Sequence, residues 1–559
     1  MNSLSSFFKK PKRWIISLCF VGVVATSATL TDEYFEISKN IEIFTSLYKE
    51  LNIYYVDDTK PGTLMKTGID AMLRSLDPYT VYYPESKVED AMFMQTGQYG
   101  GIGASVNTID GKITIVEPYQ NYAAVKAGLK AGDVIVSVAG KSVEGKTHDE
   151  ISDLLMGQPG SAVEVLVRRE GLVAPQSIKV TREEIKIPDV PYFAMLNDGR
   201  TGYIQLTGFT QTASQEVRSA FMDLKKKNME RCVLDLRGNG GGLLREAISI
   251  VNFFVPKGTE IVRTKGKIDE WNKIYTATVD PLDTEIPLVV LVDGMSASAS
   301  EIVSGSLQDL DRAVVVGSES FGKGLVQQTK DLAYNTLVKI TVAKYYTPSG
   351  RCIQRLDYSH RDDKDGQVKA VSDSLIKPFK TKGGRTVYDG RGISPDIEVK
   401  DEEASNVMMG LVNNWIGFHW ATKYANSHAQ IDSADTFRLT DAEYSEFINW
   451  AMTQKFEYNT ATEAVYKELE RVAKNEMYYE GSEKEFASLY AKIAPNKEQD
   501  LKKFKGQIKE YLENEIVSRY YYQSGRIKAT LPQDPCIAKA IETLNSSYSA
   551  VLNGTYSKK

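Results

Sequence analysis

Apolar positions along the chain change period from one stretch to the next, and the periods predict its elements. Ile37, Ile41, Phe44, Tyr48 and Leu51 recur at steps of four and three, the spacing of one face of an amphipathic helix. A second helix is predicted over 64–76, stopped by Asp77-Pro78. From Gln98 to Ala104 the texture becomes glycine-rich (QYGGIGA). Short alternating strands are then predicted at Lys112–Glu117, Val134–Val138, Val163–Arg168 and Ser177–Thr181, with a helix at 148–156. This β-rich module closes near Arg182, and Pro188 and Pro191 mark a linker after it. Beyond Gly202 strands and helices alternate, with a helix striped by Val217, Phe221 and Leu224. CVLDL (232–236) and PLVVLV (287–292) are short apolar runs of the buried-strand type, which predicts a layered α/β core. After Asp401 the chain turns charged and tyrosine-rich. Val465, Leu469 and Val472 mark one helical packing stripe, and Leu501, Phe504, Ile508 and Tyr511 another.

Composition narrows the class. At 559 residues the chain is too long for one ordinary core and predicts three or four folding units. Its hydrophobic share of 42% excludes wholesale disorder, and a net charge of −5 carries no electrostatic footprint for nucleic acid. Four scattered cysteines (Cys19, Cys232, Cys352, Cys536) make neither a disulfide framework nor a zinc site. The N-terminus reads as an address rather than a fold. Lys9, Lys10, Lys12 and Arg13 precede the uncharged, mostly apolar stretch 14–30, the pattern of a signal peptide or membrane anchor. Positive-inside logic then predicts that the rest of the chain lies outside the cytoplasm.

Three segments carry candidate chemistry. In VVLVDGMSASASE (289–301) an apolar strand runs into Ser296, Ser298 and Ser300 and then a helix. A serine at such a turn is exposed at the sheet edge, with backbone N–H groups of the helix start aimed at a developing oxyanion. The small Ala297 and Ala299 would let a substrate backbone approach, although a serine-rich helix cap explains the same pattern. In SFGKGLVQ (320–327), Lys323 sits between two glycines beside Phe321, at the end of the strand Ala313–Val316. Burial there would disfavour its ammonium form and make the amine a usable base. A lone Gly-Lys-Gly also suits a phosphate loop, a reading discounted because Gly324 follows Lys323 where G-x-x-x-x-G-K-[ST] needs Ser or Thr. In LDLRGNGGG (234–242), consecutive glycines after a buried strand leave backbone N–H groups bare. Histidine is scarce. His148, His360, His419 and His428 all lie away from the strand ends of the α/β core, so a serine nucleophile here would need Lys323 instead.

With LDPYT (76–80), GGIGA (100–104), AGLKAGDVI (127–135), LDLRGNGGG, SASASE, RAVVVG (312–317), SFGKGLVQ and YDGRGISPDIEV (388–399), the stretch 34–400 closely resembles the carboxy-terminal processing peptidases, PDZ-containing serine peptidases. The resemblance implies Ser298 as nucleophile, Lys323 as general base and Gln327 as the residue orienting the lysine. It also implies the N–H groups of Ala299 and Gly241 as oxyanion donors, with Gly242 as neighbour. One departure bears on that last pair: Asn239-Gly240 stands where the family often has Asn-Pro, which adds backbone freedom to the glycine run. The β-rich segment resembles a PDZ domain, whose glycine turn (Gly101, Ile102, Gly103) would receive a substrate's C-terminal carboxylate.

The expected architecture is a multidomain α/β chain: a signal or anchor (1–30), an N-terminal helical region (31–97), a PDZ domain (98–182), a crotonase- or ClpP-like peptidase core (183–401) and a C-terminal helical region (402–559) that scaffolds, caps or oligomerises. The expected activity is a serine endopeptidase acting near the C-termini of exported proteins. It needs no cofactor or metal and works in the periplasm or on the outer face of a bacterial inner membrane. Expected partners are peptides with free C-termini; an envelope adaptor protein, membrane association and oligomerisation stay open. Two other classes compete, a catalytically silent peptide-binding scaffold and a crotonase-like acyl-CoA enzyme. The complete set of Ser298, Lys323 and Gln327 argues against the first, and the export signal and PDZ module against the second.

Overall fold

The structure is a computed structural model, and it describes residues 34–361, 367–400 and 403–556. The predicted signal or anchor, with Cys19, lies outside the described residues. Among the described residues no helix is long and apolar enough to cross a membrane. The chain divides into two compact units, Met1–Pro84 with Thr329–Ile340, and Glu85–Gln328 with Thr341–Lys559.

In the smaller unit the first helix spans 34–54 and the second Pro61–Arg74, where Pro61 occupies the first turn and needs no N–H partner. The strand Val81–Tyr83 pairs antiparallel with 337–339. Asp77 stops the second helix region by accepting the N–H groups of Tyr79 and Thr80. The stripe that periodicity marked for packing is exposed in this chain, with Ile37 at 56% and Ile41 at 61%.

The larger unit begins with the β-rich module. Its sheet runs in the order Ala104–Ile109, Lys112–Pro118, Val134–Val138, Ala162–Arg168, Gln176–Thr181. Ile115, Val138, Ile151 and Val165 close its core completely. Thr147 and Glu150 form a reciprocal capping box at the helix His148–Leu155. The edge strand 104–109, hidden in the sequence by its polar outer face, adds to the predicted strands. The module's two ends are tied together, Tyr99 opposite Ile185, by a two-stranded ribbon.

The α/β core is a six-stranded sheet in the order Tyr192–Met195, Thr201–Gln205, Arg231–Asp235, Leu288–Val292, Val314–Gly317, Ile397–Glu398. All neighbours are parallel except the antiparallel edge strand 192–195. Every residue of Leu288–Val292 is buried because both sheet faces are covered. Leu288, Val290 and Val292 point into the layer formed with helices Ala213–Lys226, Leu244–Asn252 and Ala299–Asp309. Val289 and Leu291 point the other way, onto Cys536, Ile537 and Ala540 of the helix Pro535–Ser546. The C-terminal region therefore supplies the second layer of the core. Apolar strands announce that both faces are covered but not by what.

The rest of that region has its own core, in which Leu501 and Ile508 are fully buried, as their stripe predicts. The other stripe is corrected. Val465 and Leu469 are exposed, and the helix Ala461–Asn475 buries Tyr466 and Ala473 instead.

Candidate active site

The strand Leu288–Val292 ends at Asp293, and the chain turns through Ser298 into the helix Ala299–Asp309. Ser298 takes φ 55°, a left-handed conformation that costs a non-glycine residue energy and that the surrounding contacts impose. It is half-buried, whereas Ser296 and Ser300 are fully buried. Ser296 donates its hydroxyl to the Leu236 carbonyl at 2.8 Å, and Ser300 donates its own to the Asn239 carbonyl at 2.8 Å. These two hydroxyls are structural ties between the serine turn and the glycine loop. Ala297 and Ala299 are also buried, so their smallness serves the packing of the turn.

Glu301, three residues after Ser298, organises the site. It is wholly buried and its carboxylate accepts four hydrogen bonds. Oε2 takes the backbone N–H groups of Ser298 (2.8 Å) and Lys323 (2.9 Å); Oε1 takes the Gly322 N–H (2.7 Å) and the Ser320 hydroxyl (2.6 Å). Because Ser298 and Lys323 share one oxygen, their backbones are locked against each other. Burial pushes the carboxyl of Glu301 up from its ordinary value, and the four donors oppose that shift. Gly322 adopts φ +90°, and a Cβ there would lie 2.5 Å from that of Arg355, so the loop can close over Glu301 only with glycine. Lys323 is half-buried, and the neighbouring Phe321 is 40% exposed. The loop is held by Glu301 and by Gln354, whose Oε1 accepts the Gly324 N–H at 2.8 Å.

Tyr345 closes the far side. Fully buried, with its hydroxyl pKa held well above the ordinary value by desolvation, it donates to the Ser298 carbonyl at 3.1 Å. Gln327 lies on the strand Leu325–Asp331 and donates Nε2 to Thr341 Oγ1 at 3.2 Å. Sequence reasoning missed Glu301 and Tyr345. The S-x-x-E spacing of Ser298 and Glu301 is a capping-box signature that could have flagged the first; no local signal marks the second.

The glycine loop packs against the serine turn. Gly241 has φ +98°, and a Cβ on it would meet the Ala297 carbonyl at 2.7 Å and the Ser298 Cβ at 2.9 Å. Its N–H donates to Asn239 Oδ1 at 2.9 Å. Gly242 instead bridges in strand fashion to Phe209. Of the consecutive glycines, Gly241 is therefore the one in contact with Ser298. In the β-rich module, Gly101 ends the ribbon strand, Ile102 is buried with its carbonyl accepting the Ala124 N–H at 2.7 Å, and Gly103 turns with φ +74°.

Residues 200–358 match the family model for peptidase family S41, residues 114–169 a PDZ domain, and residues 407–544 the model described as "Probable PDZ-protease, C-terminal helical domain". The chain is 37% identical over 336 residues to a carboxy-terminal-processing protease of Bartonella bacilliformis, covering 59% of this chain and 76% of that one. It is 33% identical over 358 residues to a "Probable CtpA-like serine protease" of Staphylococcus aureus, covering 61% of this chain and 71% of that one. Among solved structures it is similar to a photosystem II D1 C-terminal processing protease, at 27% identity and TM-score 0.34 over 64% of this chain and 92% of that one. The molecule is a serine peptidase carrying a PDZ domain. It belongs to the carboxy-terminal-processing protease family. The glycine turn 100–103 lies just before the span matched to the PDZ family.

Proposed function

We propose that this peptidase cleaves exported proteins near their C-terminal ends, with Ser298 as nucleophile and Lys323 as general base. The observation that carries the reading is the shared Glu301 oxygen, which holds the Ser298 and Lys323 backbones together at 2.8 and 2.9 Å. Neutral Lys323 Nζ takes the Ser298 Oγ proton as Oγ bonds to the scissile carbonyl carbon. The carbonyl oxygen becomes an oxyanion facing the Ala299 and Gly241 N–H groups. The lysine then returns its proton to the leaving amine as the C–N bond breaks. Lys323 Nζ then takes a proton from water as the water oxygen bonds to the acyl carbon, and returns it to Ser298 Oγ as the acyl C–Oγ bond breaks. Gly241 would exchange its present acceptor, Asn239 Oδ1, for the oxyanion. Gln327 would steady the lysine from the adjoining strand.

The turn Gly101–Gly103 would receive the substrate's terminal carboxylate, with the peptide added beside the edge strand 104–109. The basic and apolar segment 1–30 would export the chain and hold or release it at the membrane. Ser298→Ala should abolish hydrolysis of a free-acid fluorogenic peptide. Lys323→Arg should do the same, because a guanidinium cannot give up its proton in a protein. Retained turnover in Lys323→Arg would sink the base assignment. Cell fractionation with and without residues 1–30 tests the address.

A further inference from the structure

We propose that Asp534, in the C-terminal helical region, is a positioning residue for peptide hydrolysis. It holds the loop that carries Gly241 in register with Ser298. This rests on the reading that Ser298 attacks and Gly241 faces the oxyanion. The link starts at Arg237, which leads into the glycine loop. Its guanidinium donates to Asp534 Oδ1 and Oδ2 at 3.1 and 2.6 Å, and on its other side to Asp235 at 2.7 to 3.2 Å. Asp235 is buried and also accepts the Tyr203 hydroxyl at 2.8 Å. Burial works against the charge on Arg237, and the two carboxylates outweigh it.

From Arg237 the restraint runs straight to the serine turn. The Gly238 N–H donates to the Asp293 carboxylate at 3.0 and 3.1 Å, and the Asn239 carbonyl accepts the Ala297 N–H at 3.0 Å and the Ser300 hydroxyl at 2.8 Å. With Asp534 gone, Arg237 keeps a single carboxylate partner, and the start of the loop loses its anchor on the helical layer. Bidentate carboxylate pairing of a guanidinium fixes orientation as well as charge, which suits it to this task.

Asp534 has a second job that the experiment can separate. Its Oδ1 caps the helix Pro535–Ser546 by accepting the Cys536 and Ile537 N–H groups at 2.8 and 3.1 Å. Asparagine and serine are equally good caps but cannot pair with Arg237 as a carboxylate does. Full-length wild type, Asp534→Asn, Asp534→Ser and Ser298→Ala would be compared by steady-state kinetics, thermal unfolding and labelling with a serine-reactive fluorophosphonate. The expected result is a kcat about tenfold or more below wild type in both cap-preserving variants, with KM within about twofold and Tm within a few degrees. Asp534→Glu should recover part of the loss. A kcat within about twofold of wild type in Asp534→Asn overturns the proposal, as does a loss carried by KM or one that tracks Tm. If wild type were unlabelled at Ser298, or Ser298→Ala stayed active, the nucleophile reading would fall. Equal labelling and equal kcat in wild type and Asp534→Asn would overturn this inference alone.

Discussion

Glu301→Gln is the most informative single change, because it keeps the shape of the buried side chain and alters only what it can accept. The carboxylate takes four donors, two on each oxygen. An amide offers one oxygen and one NH2, so in either orientation two buried donors face another donor. Hydrogen bonds to a charged acceptor are worth ~1.5–3 kcal/mol each. Two lost bonds are partly offset by relief of burying a charge, whose cost shows in the raised carboxyl pKa. The net loss should be about 3 kcal/mol, and a Tm drop of only about 3 °C follows, because an unfolding entropy of ~2 cal/mol/K per residue makes each kcal/mol worth about 1 °C in so large a unit. The effect on chemistry should exceed the effect on stability. With the amide nitrogen toward Ser298 and Lys323, the two backbones separate, and a misplacement of ~1 Å can cost ~100-fold in rate. The assay is kcat on a free-acid fluorogenic peptide, measured well below the variant's own Tm. A kcat within about threefold of wild type would refute the claim that Glu301 couples nucleophile and base.

Further outcomes follow from the same contacts. Ser300→Ala should retain most activity and cost ~1 kcal/mol in chemical denaturation, since the Ala297 N–H still holds the Asn239 carbonyl when the Ser300 hydroxyl is gone; an inactive Ser300→Ala beside an active Ser298→Ala would reverse the nucleophile assignment. Gly241→Ala should inactivate, because its Cβ would press within 2.9 Å of the Ser298 Cβ and the residue needs φ +98°; full activity would remove Gly241 from the oxyanion site. Amidating the C-terminus of a peptide substrate should raise KM with little change in kcat, and equal cleavage of both forms would deny the glycine turn its role. At low pH, Asp198 should contribute to acid sensitivity. Burial alone would raise its carboxyl pKa, but donors from Thr201, Arg200 and Arg231 outweigh burial and lower it. Its stabilisation is present above the unfolded-state value of ~3.9 and is lost as pH falls through the depressed folded value. Asp198→Asn should therefore flatten the acid-unfolding curve below about pH 4, and an unchanged slope would contradict the assignment.

The core strands were legible because parallel strands covered on both faces must be apolar throughout; Cys232–Leu236 and Pro287–Val292 announce themselves, shifted by only a residue from Arg231–Asp235 and Leu288–Val292. The strand 104–109 was not legible, since an edge strand carries polar residues on its open face and its alternation is diluted. The stripe Val465, Leu469 and Val472 misled because periodicity shows that a helix has an apolar face without naming a partner for it.

At the site, linear order alone is enough to nominate the candidate reacting groups. Serines at a strand end, a lysine between glycines and a glycine run are chemistry carried by residue type and local spacing, and no fold is needed to see them. Which groups hold those in place is visible only once the chain is packed. Glu301 reaches the Lys323 loop across 22 residues, Tyr345 reaches Ser298 from 47 away, and Asp534 grips Arg237 across 297 residues. Such partners are brought together by burying apolar surface whose pairing is nonlocal. Their identity is therefore set by the packed core and by no pattern within a single stretch of chain.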